Sequence, residues 1–188
     1  MIRIFKSERL VLRPIEPADA AFYKQLVNEP AWIANIGDRQ VHSLADAEEQ
    51  IRNKLMSSYA QHGFGLAVVA LMATAQPLGI CGLVKREALA TPDIGFAFLQ
   101  AQWGKGYALE AARAVLRHAF DQLQLPQVLG LTQPSNQKSA DLLLKLGFEP
   151  QGQVQLGDVS RDLYQIANPR VESGVLSAQG KKPNIFYY

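Results

Sequence analysis

The sequence predicts an α/β fold of the α+β kind, a mixed central sheet flanked by helices in a single domain. Short apolar runs of strand character alternate with stretches whose apolar residues recur every three or four positions, in the order βααβββαβαββ. The stretch from Asp93 to Phe120 passes from strand through a glycine turn into helix, which makes it the central crossover. The chain has 188 residues, 48% of them hydrophobic and 19% charged, which suits one core. A chain of that length buries roughly 70% of its unfolded surface.

Leu10 and Leu12 alternate with Val11 and Arg13 in a first strand, and Pro17 opens a helix, since proline fits the first helical position. Asn28-Glu29-Pro30 ends that helix, and a loop is expected over Ala31 to His42, carrying Trp32, Ile33 and Ile36. Ser43 to Asp46 has the form of a capping box. Leu44, Ala47, Ile51, Leu55 and Tyr59 continue as one apolar stripe, stopped by Gln61-His62-Gly63. Strands over Gly65 to Met72 and Leu78 to Lys85, joined near Gln76-Pro77, suit an antiparallel hairpin.

The central strand runs through Ile94 to Leu99. After Gly104-Lys105-Gly106 the apolar spacing changes to that of a helix, with Ala108, Leu109, Ala112, Val115, Leu116, Ala119 and Phe120 on one stripe. The two glycines allow positive φ and remove the Cβ atoms that would hold a ligand away. The free N–H groups of the helix start, at the positive end of its dipole, favour phosphate there. It is not a Walker loop, because Tyr107 follows Gly106, and not a dinucleotide fingerprint, because Leu109 stands where a small residue is needed. Beyond it, a strand over Val128 to Thr132 leads to a helix from Asn136, stopped by Gly147 with Phe148 folding back on Leu143. Strands near Phe148 to Gln155 and Asp162 to Ala167 finish the domain, around a Gly157-Asp158 turn.

Gln102-Trp103-Gly104-Lys105-Gly106-Tyr107-Ala108-Leu109-Glu110-Ala111 resembles the acyl-coenzyme A pyrophosphate loop of the GNAT N-acetyltransferases, in the form used by the branch of ribosomal-protein N-terminal (alanine/serine) acetyltransferases. Asn136-Gln137-Lys138-Ser139 with Lys145-Leu146-Gly147-Phe148, and Ser7 to Pro14, resemble two further motifs of that branch in the same order. The resemblance covers roughly residues 7 to 167 and implies the GNAT fold, with a mostly antiparallel sheet. It also implies an acetyl-CoA-dependent N-acetyltransferase that transfers acetyl directly to a primary amine. One departure stands out. The position three before Gly104, usually Gln or Arg, is Ala101, which leaves the pyrophosphate to backbone donors and to Gln102.

By that resemblance, the backbone around Phe98 and Leu99 binds the pantetheine arm and leaves an N–H for the developing oxyanion. Gln102, Trp103, Gly104, Lys105, Gly106, Tyr107 and Ala108 hold the pyrophosphate, and Asn136 contacts the arm. The tyrosine that many relatives use as general acid is replaced by Leu143, and Ser139, one helical turn earlier, takes the role by position. Asp93, where some relatives carry a glutamate, is the candidate base, with Glu87 in the preceding loop as another. The loop from Ala31 to His42 borders the acceptor pocket.

A modest base favours an α-amine, which titrates near pH 8, over lysine near 10.4, a difference of about 3 kcal/mol. The expected acceptor is therefore a peptide N-terminus. A small amine such as an amino acid, polyamine or amino sugar is the alternative, and a non-catalytic acyl-CoA sensor is the alternative from another class.

Net charge is +2 with scattered basic residues, which argues against a nucleic-acid partner. The longest apolar run, Phe64 to Ala73, is too short for the roughly 20 residues of a membrane span. A single Cys81, read as a small buried residue, and an N-terminus unlike a secretory signal point to the cytoplasm. His42, His62 and His118 lack metal-ligand spacing, and no metal is expected. Residues 1–168 form the domain and 169–188 a tail, whose terminal Ile185-Phe186-Tyr187-Tyr188 is expected to dock on this chain or on a second copy in a homodimer.

Overall fold

Aliphatic runs bounded by turn residues supply the strands of one eight-stranded sheet in the computed structural model, which describes residues 5–170. They are β1 (Phe5–Lys6), β2 (Leu10–Pro14), β3 (Leu66–Leu71), β4 (Pro77–Val84), β5 (Asp93–Phe98), β6 (Gln127–Thr132), β7 (Glu149–Leu156) and β8 (Val159–Ala167). Their spatial order is β1-β2-β3-β4-β5-β6-β8-β7. Neighbours run antiparallel except β5 and β6. A parallel pair needs a crossover, and helix α5 (Tyr107–Asp121) supplies it. The tail and its docking aromatics, expected from sequence, lie outside the described residues.

On one face lie α1 (Ala20–Val27), α2 (Pro30–Asn35), α3 (Leu44–Gln50) and α4 (Ser57–His62). A 3₁₀ turn at Pro17–Asp19 leads into α1. There the Arg13 guanidinium donates two bonds to the Asp19 carboxylate, at 2.8 and 2.7 Å, and Asp19 accepts the Glu16 N–H at 2.9 Å. The capping box of α3 is present: Ser43 Oγ accepts the Asp46 N–H at 3.0 Å, and Asp46 accepts the Ser43 N–H at 2.7 Å. Between α3 and α4 the helix does not break; it widens into a π-helical segment at Ile51–Met56.

The expected loop after Pro30 is corrected in part. Pro30 does not only end α1; it occupies the first position of α2, where its missing N–H costs nothing. This turn buries Trp32 in the core beneath α1 and α3 and leaves Ile33 and Ile36 exposed.

On the opposite face α5 and α6 (Gln137–Lys145) cover a second core of Leu10, Leu12, Cys81, Ile94, Val115 and Leu143 among others. Burial on α5 extends past the predicted stripe to Ala111 and Ala114. Helix α6 ends as its sequence dictates. Gly147 takes φ +92°, its N–H reaches Leu144 O at 3.0 Å, and the Phe148 N–H reaches Leu143 O at 3.0 Å. Phe148 thereby enters the same core as Leu143. Among the described residues, no helix is long and apolar enough to cross a membrane.

Candidate active site where β5 and β6 part

The parallel pair β5–β6 holds register only at Asp93–Leu129 and Ile94–Gly130. Beyond that, β5 continues to Phe98 and β6 to Thr132 without each other. Leu99 N–H donates to Leu78 O at 2.9 Å, and Leu129 N–H donates to Pro92 O at 3.0 Å. Backbone groups alternate sides along a strand, so those of Leu99 face β4 while those of Phe96 and Phe98 face the opening. The resemblance implies arm contacts from both Phe98 and Leu99; only Phe98 turns its N–H to the opening, because that of Leu99 donates to Leu78 O. An extended amide chain can pair with such an edge as an added strand would. At the far end of β6, Thr132 is buried and its hydroxyl meets no partner among the described residues. An unpaired buried hydroxyl costs about 1–3 kcal/mol, which a polar ligand group would recover.

The loop after β5 is bent by two left-handed glycines, Gly104 at φ +76° and Gly106 at φ +80°. A side chain would make that conformation cost roughly 1–2 kcal/mol at each position. A Cβ on Gly104 would touch nothing within 4 Å, so the approach to the backbone is open. Gly106 is the N-cap of α5, and the first helical bond is Glu110 N–H to Gly106 O at 3.1 Å. The N–H groups of Gly106, Tyr107, Ala108 and Leu109 precede it and form the unpaired first turn. Trp103 pins the loop to the strand by donating its indole N–H to Phe98 O at 2.8 Å, and Lys105 donates to Gln102 Oε1 at 3.0 Å. The Gln102 carbonyl is therefore engaged. Four free amides, two glycines and an orphaned hydroxyl beside an open strand edge fit a diphosphate with an amide-bearing arm.

The Ser7-to-Pro14 motif closes on this loop from the far side. Glu110, in the first turn of α5, accepts from the Ser7 hydroxyl at 2.7 Å, from the Arg9 N–H at 2.8 Å and from Arg9 Nε at 2.7 Å. The same guanidinium donates to Lys105 O at 3.2 Å and lies 4.7 Å from the centre of the Tyr107 ring. Burial pushes the Glu110 carboxyl up, but the Arg9 amide, the Ser7 hydroxyl and the guanidinium outweigh it and hold its pKa below the usual range. An uncompensated carboxylate here would repel phosphate; this one is neutralised and ties the loop down.

Helix α6 brings its own start to the opening. Asn136 caps it, with Oδ1 accepting the Ser139 N–H at 3.2 Å, which fixes the amide so that its –NH₂ points away from the helix. Ser139 is half-buried in the first turn. Lys138 Nζ sits 4.6 Å above the Trp103 ring and bridges α6 to the glycine loop.

Asp93 begins β5 and is 2% exposed, unlike the solvated carboxylate common at such positions. Arg86 Nε donates to its Oδ1 at 2.7 Å and Nη2 to Oδ2 at 3.3 Å. Burial raises its pKa, and the Arg86 guanidinium only partly offsets this. Its strand alternation puts it on the face of α1 to α4, opposite the core that Ile94 enters.

Sequence reasoning missed Arg9, Glu110 and Arg86 as partners. Ser7 and Arg9 lie more than a hundred residues from Glu110, and no local spacing reports such a pair. The signal available was Glu110 itself, a carboxylate at a helix start where the sequence predicts a phosphate seat.

A family model described as an acetyltransferase (GNAT) domain matches residues 9–149. The protein YkkB of Bacillus subtilis is 30% identical over 149 residues, 76% of this chain and 83% of its own length. An acetyltransferase from Agrobacterium tumefaciens superposes with a TM-score of 0.76 at 25% identity, over 88% of this chain and 95% of that one. The ribosomal-protein-S5-alanine acetyltransferase of Vibrio fischeri shares the fold, with a TM-score of 0.74 at 18% identity over 89% and 97% of the two chains. The opened parallel pair and its glycine loop thus sit in a frame common to these proteins, and the chain belongs to the GNAT family of N-acetyltransferases.

Proposed function

We propose that this enzyme transfers the acetyl group of acetyl-CoA directly to the α-amine of a peptide N-terminus, without a covalent enzyme intermediate. The observation that carries the proposal is the convergence of a β5 edge that β6 leaves open at Phe96 and at the Phe98 N–H with four unpaired amides at the start of α5. In this reading Gly104 to Ala108 hold the pyrophosphate. Phe98 and the Asn136 –NH₂ align the arm. The amine nitrogen bonds to the acetyl carbon as the carbon–sulfur bond breaks. Asp93 takes the amine proton, and Ser139 returns one to the thiolate. A buried carboxylate with a raised pKa is a better base than an exposed one. It remains far weaker than a lysine amine demands, and this supports the α-amine, which needs about 3 kcal/mol less to deprotonate.

The test is thiol release from acetyl-CoA with two peptide sets, one with free N-termini and no lysine, the other with blocked N-termini and one lysine. Turnover confined to free N-termini is the expected result. Turnover confined to lysine would overturn the assignment of the acceptor.

A further inference from the structure

On the face of the sheet that carries Asp93, the π-helical segment and α4 stand off from β3 and β4 and leave a hollow of about 220 Å³. Its floor is set by register. Val84 pairs with Asp93, and Leu66 pairs with Gly82, which pairs with Gly95. A Cβ on Gly95 would lie 3.2 Å from both Leu66 Cδ2 and Val84 Cγ2, side chains that line the hollow. Ala97 is two residues further along β5, about 7 Å at strand spacing. The hollow is thus within a short molecule's reach of the strand that aligns the acetyl donor.

Its walls carry charge of one sign. The ammonium groups of Lys54 and Lys85 line it, and none of its lining residues is acidic. Among the described residues Lys54 has no carboxylate partner. Lys85 Nζ donates to the carbonyls of Leu89 and Ala90, which position the ammonium without neutralising it. Asp93, the register partner of Val84 in the floor, is already paired with Arg86. The Ser57 and Ser58 hydroxyls on the helical wall spend their protons on backbone carbonyls, so the ammonium groups of Lys54 and Lys85 are the donors on which a carboxylate here depends.

We infer that this hollow binds a carboxylate of the acceptor, so that the preferred substrate is an amine with an acidic group close to it. The inference rests on the proposed use of β5 to present the acetyl group. For a peptide the carboxylate belongs to an Asp or Glu near the N-terminus; for a free amino acid it is the α-carboxylate.

Calorimetric titration into the CoA-saturated enzyme separates these cases. Three peptides differing only in Glu, Gln or Lys at the second residue are compared, together with a free amino acid and its amide. The expected result is that the Glu peptide binds about fivefold more tightly than the Gln peptide, the upper range for an ion pair that touches solvent. That margin shrinks as salt is raised. In Lys54→Glu, an exposed helical position that leaves the fold intact, the order reverses in favour of the Lys peptide. A preference for the free amino acid over its amide, with no discrimination among peptides, also supports the hollow and identifies a small acceptor. Equal affinities throughout, an order unchanged in Lys54→Glu, or no binding of any carboxylate overturns it. Thiol release measured alongside keeps the two claims apart, since transfer to all peptides without charge preference removes the hollow and leaves the transferase reading standing.

Discussion

Two side chains divide the proton traffic in the proposed reaction, and their surroundings differ as the roles require. Asp93 is buried beside Arg86, with its pKa raised by burial. It is ionised only above that raised value, so the acid limb of the kcat/KM profile is expected to lie above the ordinary carboxylate value of 3.8. Asp93→Asn is expected to lower kcat by about a hundredfold or more and to abolish that limb, the usual scale for a lost general base. Ser139→Ala is expected to lower kcat while leaving the KM for acetyl-CoA nearly unchanged, because the hydroxyl acts on the leaving thiolate. A pH-rate series on the two variants checks both, and an unaltered profile in Asp93→Asn would remove that residue from the chemistry.

At the scale of elements, the decisive contacts are those that lock one element to another. The Ser7–Arg9–Glu110 clamp joins the N-terminal strands to the first turn of α5 and to the loop carbonyl of Lys105. Glu110→Gln keeps the shape and removes the charge that Arg9 pairs with. The expected outcome is a several-fold rise in the KM for acetyl-CoA with kcat little changed, read by steady-state kinetics. Between β3 and β4 the limiting contact is steric. A Cβ on Gly82 would lie 2.1 Å from Gly65 O and 2.8 Å from Leu66 Cα, both backbone atoms that cannot turn aside. Gly82→Ala is therefore expected to cost about 1–3 kcal/mol or more in denaturant unfolding, as overpacking does.

Across the whole molecule, what the sequence made legible was what local chemistry encodes. The capping box at Ser43, the glycine stop after α6, the hairpins and the glycine bend before α5 each depend on a few adjacent residues, and each stands where their pattern placed it. Three features escaped for physical reasons. Pro30 satisfies the end of one helix and the start of another equally well, so α2 was hidden. The π-helical widening at Ile51–Met56 keeps the apolar stripe of an ordinary helix, so periodicity did not betray it. The partners Arg9–Glu110 and Arg86–Asp93 are brought together by sheet order, which single residues do not announce. The candidate site was legible in its glycine loop and α6 start, while the neutralising charges around it were not.

The central claim is that the amides at the start of α5 grip a diphosphate and so aim the thioester along β5. Parallel calorimetric titrations of CoA and of pantetheine, which lacks the pyrophosphate and nucleotide, test it most directly. Charge-assisted hydrogen bonds contribute about 1.5–3 kcal/mol each, so CoA is expected to bind on the order of a hundredfold or more tightly than pantetheine. Equal affinity for the two, or no heat with CoA, would contradict it.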